Sequence, residues 1–172
     1  MAKRPDIRMW LAALLLVTSM GCDARDVRTR GSEIPVHVGR VTLDRGDSPV
    51  VILEEDDGDR WLPIWIGSAE ARSIAVQMAE LPSPRPNTHD LARNLIEGLE
   101  ASVLRVVVTD LRANTYYAEL TLLVHGEVVT LDSRPSDAIA IALRTHAPIF
   151  VDESLFEERD RPDDAGDDGV QI

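Results

Sequence analysis

Two polar blocks stand where helices should begin: Arg85-Pro86-Asn87-Thr88-His89-Asp90 and Arg134-Pro135-Ser136-Asp137-Ala138-Ile139-Ala140. Each sets an arginine beside a proline, then a hydroxyl followed by an acid. Phosphodiester cleavage needs a base or a metal-held water, an acid, and positive charge on the developing oxyanion. His89, Asp90, Asp137, Arg85 and Arg134 could supply those parts as catalytic residues. The hydroxyls of Thr88 and Ser136 would contact substrate, and the carboxylates of Asp90 and Asp137 would hold a divalent cation, Mg²⁺ or Mn²⁺. A helix start explains much of the same pattern. Pro135 has its φ set for a first helical turn, and Ser136 and Asp137 place oxygen and negative charge at the positive end of the helix. Thr88 is a good N-cap, Asp90 suits a first turn, and a lone histidine is more often hydrogen-bonded than catalytic. The chemistry follows only if the two helix starts meet in space.

Other constellations point elsewhere or nowhere. Asp56-Asp57-Gly58-Asp59 resembles a calcium loop but lacks the downstream glutamate, so a hairpin turn is the better reading. Ser136-Asp137 and His89 lack the strand-to-helix nucleophile elbow of a hydrolytic serine triad. Gly-rich phosphate loops, Cys-x-x-Cys and His-Glu-x-x-His are absent. Trp61, Trp65, Tyr116 and Tyr117 could stack on bases, but aromatic residues in strands more often belong to a core.

The elements that must position these residues alternate between strand and helix. Val36, Val38, Val41 and Leu43 lead through Asp44-Arg45-Gly46-Asp47 to Val50-Val51-Ile52-Leu53, and then through Asp56-Asp57-Gly58-Asp59 to Trp61–Ile66, which predicts two hairpins. Ser68 can cap a helix carrying Ala71, Ile74, Ala75 and Met78. Pro82, Pro84 and Pro86 make the next stretch a stiff connector. A second helix from Thr88 carries Leu91, Leu95, Ile96 and Leu99 at its apolar positions. Strands over Val103–Leu111 and Tyr116–Val124, a His125-Gly126 turn and Val128–Leu131 follow. A third helix starts at Pro135, and Pro148–Val151 forms a short closing strand. Strand runs broken by isolated helices predict a single α+β domain with a mixed or largely antiparallel sheet and about three helices.

Composition narrows the function. The chain has 172 residues, is 44% hydrophobic and carries a formal net charge of −12, enough for one domain with a single core. Residues 1–21 hold three cations against one anion, and residues 157–168 hold seven acids against two arginines, so the stretch between keeps −9. That balance disfavours a long nucleic-acid footprint, which lysine and arginine would have to drive, yet it allows a brief encounter. Lys3 is the only lysine. Past the leader every fixed cation is an arginine, which excludes a Schiff-base lysine and suits bidentate phosphate recognition.

The ends read as address and tail. Lys3, Arg4 and Arg8 precede an uncharged run from Met9 to Met20 and then Gly21-Cys22. The run is shorter than the roughly 20 residues that span a bilayer. It therefore predicts an export signal over 1–21. Cys22, the only cysteine, sits where a bacterial lipobox places its lipidated residue, although Ser19 stands where an aliphatic residue is usual. An exported, lipid-anchored protein of the cell envelope is expected, with a linker over 22–33, a folded domain over 34–156 and an acidic disordered tail over 157–172.

The stretch from Val36 to Phe156 resembles the bifunctional nuclease family. The matching pieces are Leu62-Pro63-Ile64-Trp65-Ile66-Gly67, Glu70-Ala71, Arg85-Pro86, Thr88-His89-Asp90, Tyr117-Ala118 and Arg134 to Ala140, extended by Arg144 and Pro148-Ile149. The resemblance implies a compact, self-associating α+β domain that cleaves DNA, RNA or both, with nucleic acid as a transient substrate. The alternative is a non-catalytic ligand- or protein-binding envelope domain of the same fold.

Overall fold

Alternating apolar runs build two three-stranded meanders, and one short strand joins them. The structure, a computed structural model, describes residues 31–156. The signal at 1–21, Cys22 and the acidic tail therefore lie outside the described residues, as does most of the 22–33 linker. The first meander is β1 (Glu33–Leu43), β2 (Pro49–Glu55) and β3 (Trp61–Trp65), and the second is β4 (Ala101–Arg112), β5 (Thr115–Val124) and β6 (Glu127–Ser133). Between them in space lies β7 (Ile149–Asp152), antiparallel to β1 and parallel to β4. The result is one seven-stranded sheet of order β3-β2-β1-β7-β4-β5-β6. The domain is α+β with a mixed, mostly antiparallel sheet and three α-helices, as the strand and helix pattern predicts.

Turn chemistry fixes the second meander. Ala113 and Asn114, and again His125 and Gly126, all adopt positive φ, as a two-residue turn matched to strand twist requires. Gly126, at φ +87°, has no Cβ to strain there.

The helices α1 (Ser68–Met78), α2 (Thr88–Gly98) and α3 (Pro135–Thr145) gather over the face that presents Val51, Leu53, Val106, Val108, Leu120 and Val151. Helix α3 carries the chain from edge strand β6 back to central β7 and is buried from Ala138 through Ala142. Its alanines let α1 and α2 approach closely. Burial of Ile139 and Ile74, both fully inaccessible, stabilises this layer by roughly 1.5–3 kcal/mol each. No helix among the described residues is long and apolar enough to cross a membrane.

Four local expectations are corrected. The N-cap of α1 is Gly67 rather than Ser68, and it makes no side-chain cap. The N-cap of α2 is Asn87 rather than Thr88, because the asparagine oxygen reaches two backbone N–H groups and Asp90 returns the bond. The apolar positions of α2 also split. Ala92 and Ile96 pack on the core, while Leu91, Leu95 and Leu99 are 53%, 56% and 66% exposed. The helix is turned to put His89, its one buried residue, inward. Trp65 likewise faces out, with its indole N–H on Asp44.

Candidate functional site

The first turns of α2 and α3 and the middle of α1 meet in one polar cluster. Its centre is His89, which is 9% exposed. Nδ1 of His89 lies 2.9 Å from Oγ of Ser73, and Nε2 lies 3.2 Å from Oδ1 of Asp137. Asp137 is held in turn by Arg134, through Nε at 2.7 Å and Nη2 at 3.0 Å, and the same Nη2 donates to Glu70 at 2.6 Å. On the other side, Asp90 accepts from Nε of Arg144 at 2.6 Å and from the backbone N–H of Asn87 at 2.8 Å.

Local sequence explains why these groups arrive together. Asn87 and Asp90 form a capping box, which fixes the entry of α2 and leaves His89 on the inward side of its first turn. Pro135 occupies the first turn of α3, where a missing N–H is harmless. The carbonyl of Arg134 accepts from the N–H groups of Asp137 and Ala138, so Asp137 is set one turn from the arginine that pairs with it. Ser73 interrupts the apolar side of α1 next to Ile74 and is 6% exposed.

The donors around Ser73 decide the state of His89. Nη2 of Arg144 donates to Oγ of Ser73 at 2.9 Å, and a guanidinium can only donate. Asn87 uses its oxygen for the N–H groups of His89 and Asp90, so the group that reaches Ser73 at 3.2 Å is its NH₂. Both lone pairs of the serine oxygen are thereby taken. The serine proton must go to Nδ1 of His89, which makes Nδ1 an acceptor and puts the ring hydrogen on Nε2, donating to Asp137. The order Ser73, His89, Asp137 looks like a hydrolytic triad, but Ser73 is buried and its lone pairs are spent. It orients the histidine and is no nucleophile.

Electrostatics divides the two carboxylates from ordinary ones. Burial pushes Asp137 upward, but hydrogen bonds from Arg134 and His89 outweigh it and hold the carboxyl below the usual range. Burial also pushes Asp90 upward, and Arg144 with the Asn87 N–H reverses the sign. Arg134 is raised by its bonds to Asp137 and Glu70. Arg144 is 1% exposed as a side chain and Arg134 is 66% exposed. One pair is a buried brace, and the other is open to solvent.

Each candidate residue has a definite place. His89, Asp137 and Arg134 are brought together on the open side, and Asp90 sits on the Arg144 side. Arg85 lies exposed in the connector, with no hydrogen bond or ion pair found for it among the described residues. Thr88 is exposed at the start of α2, and Ser136 is buried at 5% exposure. Asp90 and Asp137 each belong to their own arginine, and among the described residues no three of His, Cys, Asp and Glu are grouped to hold a metal ion. The donor set does not fit a cation clasped between these two carboxylates. Ser73 and Asn87 are not singled out by the sequence reading. Asn87 has a visible signal, an asparagine three residues before an acid at a helix start, whereas Ser73 has only its place among apolar neighbours.

Comparison with known proteins gives a consistent family. A model described as the bifunctional nuclease domain matches residues 51–163. An uncharacterized protein of Mycobacterium tuberculosis (strain H37Rv) is 44% identical over 112 residues, which cover 65% of this chain and 66% of that protein. Bifunctional nuclease 1 of Oryza sativa subsp. indica is 30% identical over 109 residues, 62% of this chain and 33% of the rice protein. Bifunctional nuclease 2 of Arabidopsis thaliana is 32% identical over 111 residues, 63% of this chain and 34% of its own length. The chain thus spans 66% of the mycobacterial relative's length and about a third of these plant nucleases.

Proposed function

The chain belongs to the bifunctional nuclease domain family, and on that premise we propose that it cleaves phosphodiester bonds of DNA or RNA at the Arg134–Asp137–His89 cluster. The observation that carries this reading is the 3.2 Å contact between His89 and Asp137, which joins the two helix starts beside an exposed arginine. Arg134 is the residue that a phosphate would engage. Its planar guanidinium already binds two carboxylates and can exchange them for phosphate oxygens. Once Arg134 turns to the phosphate, Asp137 loses its strongest hydrogen bonds and becomes a better base. It then takes the proton from the attacking water, or from a ribose 2′-hydroxyl in RNA, as the new P–O bond forms and the bond to the leaving oxygen breaks. The leaving oxygen takes its proton from solvent. His89 donates from Nε2 and keeps the carboxylate aimed, while Arg134 balances the charge on the phosphate.

The reading is tested with purified full-length protein on end-labelled DNA and RNA, with and without chelator, beside His89→Ala. Cleavage that persists in chelator and drops in the variant supports it. Equal cleavage by the variant points to another site or a contaminant. A second reading, a non-catalytic binding domain, is favoured by one observation: Asp90, Asp137, Arg134 and both nitrogens of His89 all have internal partners. An intact fold with no cleavage of any substrate would select it.

Export, lipidation at Cys22 and residence at the envelope belong to the same proposal, as does self-association. A fatty-acid probe should label the wild type in cells and spare Cys22→Ala. Equal labelling would remove the anchor from the account.

A further inference from the structure

The two edges of the sheet differ in how they meet solvent. Edge strand β3 is five residues long and has Pro63 at its centre, where a backbone donor is missing. Short length and proline are ordinary devices that keep an edge from pairing with another chain. Edge strand β6 has neither. Its seven residues pair with β5 in an unbroken register without a bulge, and Glu127 to Ser133 contains no proline and no lysine. Every residue of β6 except Ser133 is exposed.

This edge is apolar on both faces of the strand. Val129 and Leu131 lie beside Leu122 and Leu120 on the face that the helices cover, and Val128 lies on the other. Helix α3 packs on β4 and β5, so Leu120 and Leu122 are buried while Val129 and Leu131 stay exposed. The backbone is open as well. His125 and Gly126 both have positive φ, and a two-residue turn of this form closes on a hydrogen-bonded pair, Val124 and Glu127. Hydrogen-bonded pairs alternate along an antiparallel ladder, so Val128, Thr130 and Asp132 aim N–H and C=O away from β5. Among the described residues no backbone group outside the ladder meets them.

We propose that β6 pairs antiparallel with β6 of a second copy, about a two-fold axis at Thr130, so that the two sheets become one. The strand's own sequence selects this partner and this register. With Thr130 opposite Thr130, Val129 meets Leu131, Val128 meets Asp132 and Glu127 meets Ser133, so every residue of the strand is paired and no acid opposes an acid. Glu127 and Asp132 also point to opposite faces. Moving the axis to Val129 sets Glu127 against Leu131. Moving it to Leu131 separates Val129 from Leu131 and carries Val128 past the end of the partner strand. The pairing rests on the proposed self-association, to which it gives a surface, and not on the nuclease reading.

The test is analytical ultracentrifugation and amide hydrogen exchange of the full-length protein carrying Cys22→Ala, so that no lipid drives association. Salt of about 1 M, where the Debye length is about 3 Å, screens the repulsion between two chains of net charge −12. A concentration-dependent dimer is expected, with exchange at Val128, Thr130 and Asp132 slowing as the dimer fills. Thr130→Pro removes the two central N–H donors, one from each copy, and Thr130→Lys sets like charges face to face. Each should weaken the dimer about tenfold or more. The circular dichroism of both variants should match the wild type, because the Thr130 N–H lies outside the β5–β6 ladder and an edge strand tolerates proline there. A dimer that survives both variants overturns β6 as the surface and leaves self-association standing. A wild type still monomeric at about 1 mM overturns both and leaves the edge to a different chain. Polymers that grow past the dimer also overturn the pairing, since a two-fold contact uses up the one unguarded edge of each copy.

Discussion

Replacing Asp90 with asparagine should unfold this domain far more readily than replacing an exposed acid. Asp90 faces a guanidinium whose side chain is 1% exposed, and its own side chain is 20% exposed. Removing one partner of a buried pair costs about 3–5 kcal/mol, because the remaining charge is stranded. The partial exposure of Asp90 argues for the lower end. Asparagine keeps an oxygen for the N–H of Asn87, so the capping box survives and the charge alone is tested. In a domain of this size about 3 kcal/mol corresponds to a fall in Tm of roughly 10–15 °C. The pH dependence has a definite sign. A carboxyl held below its ordinary range adds stability that is present above the unfolded value near 3.9 and is lost as pH falls through the folded value. Thermal melts followed by circular dichroism from pH 7 downward should therefore show a wide gap at neutrality that closes at acid pH. A gap under about 1 kcal/mol at pH 7, or one that ignores pH, would mean that Asp90 is not the brace of Arg144. It would then be free for chemistry or metal binding.

Ser73→Ala removes the hydroxyl that points at Nδ1 of His89, so the ¹⁵N signals of the ring should change from a single Nε2–H form to a mixture. An unchanged ring would refute the tautomer assignment. Arg134→Ala should raise the Asp137 carboxyl toward the ordinary range in a ¹³C titration, since Arg134 gives its main hydrogen bonds. No movement would show that the pair does not persist in solution. Asn87→Ala should cost about 1 kcal/mol in a urea melt from loss of the helix cap. A neutral outcome would place the N-cap elsewhere.

Sequence pattern sufficed where period and turn chemistry agree. The alternating strands, the His125-Gly126 turn and the proline at the start of α3 are all read from local rules. What failed was the phase of α2, and the cause is tertiary. Leu91, Leu95 and Leu99 make the stronger apolar stripe, yet the helix turns them outward because His89 is tied to Ser73 and Asp137. No local rule contains that pull. The same limit applies to the site. His89, Asp137 and Arg134 are conspicuous as types, but Asp90 is adjacent to His89 in sequence and belongs to a different partner. Only the packing of α1 shows that Ser73 divides the two.

Single-turnover cleavage of one labelled oligonucleotide, as RNA and as DNA, by wild type and Asp137→Asn tests the central claim most directly. If Asp137 is the base, the variant should lose about a hundredfold or more in rate at unchanged substrate saturation. Its melting temperature should fall less than that of Asp90→Asn, because Arg134, unlike Arg144, is solvent-exposed and asparagine keeps an oxygen for Nε2–H of His89. A variant that cuts either strand as fast as the wild type would contradict the account.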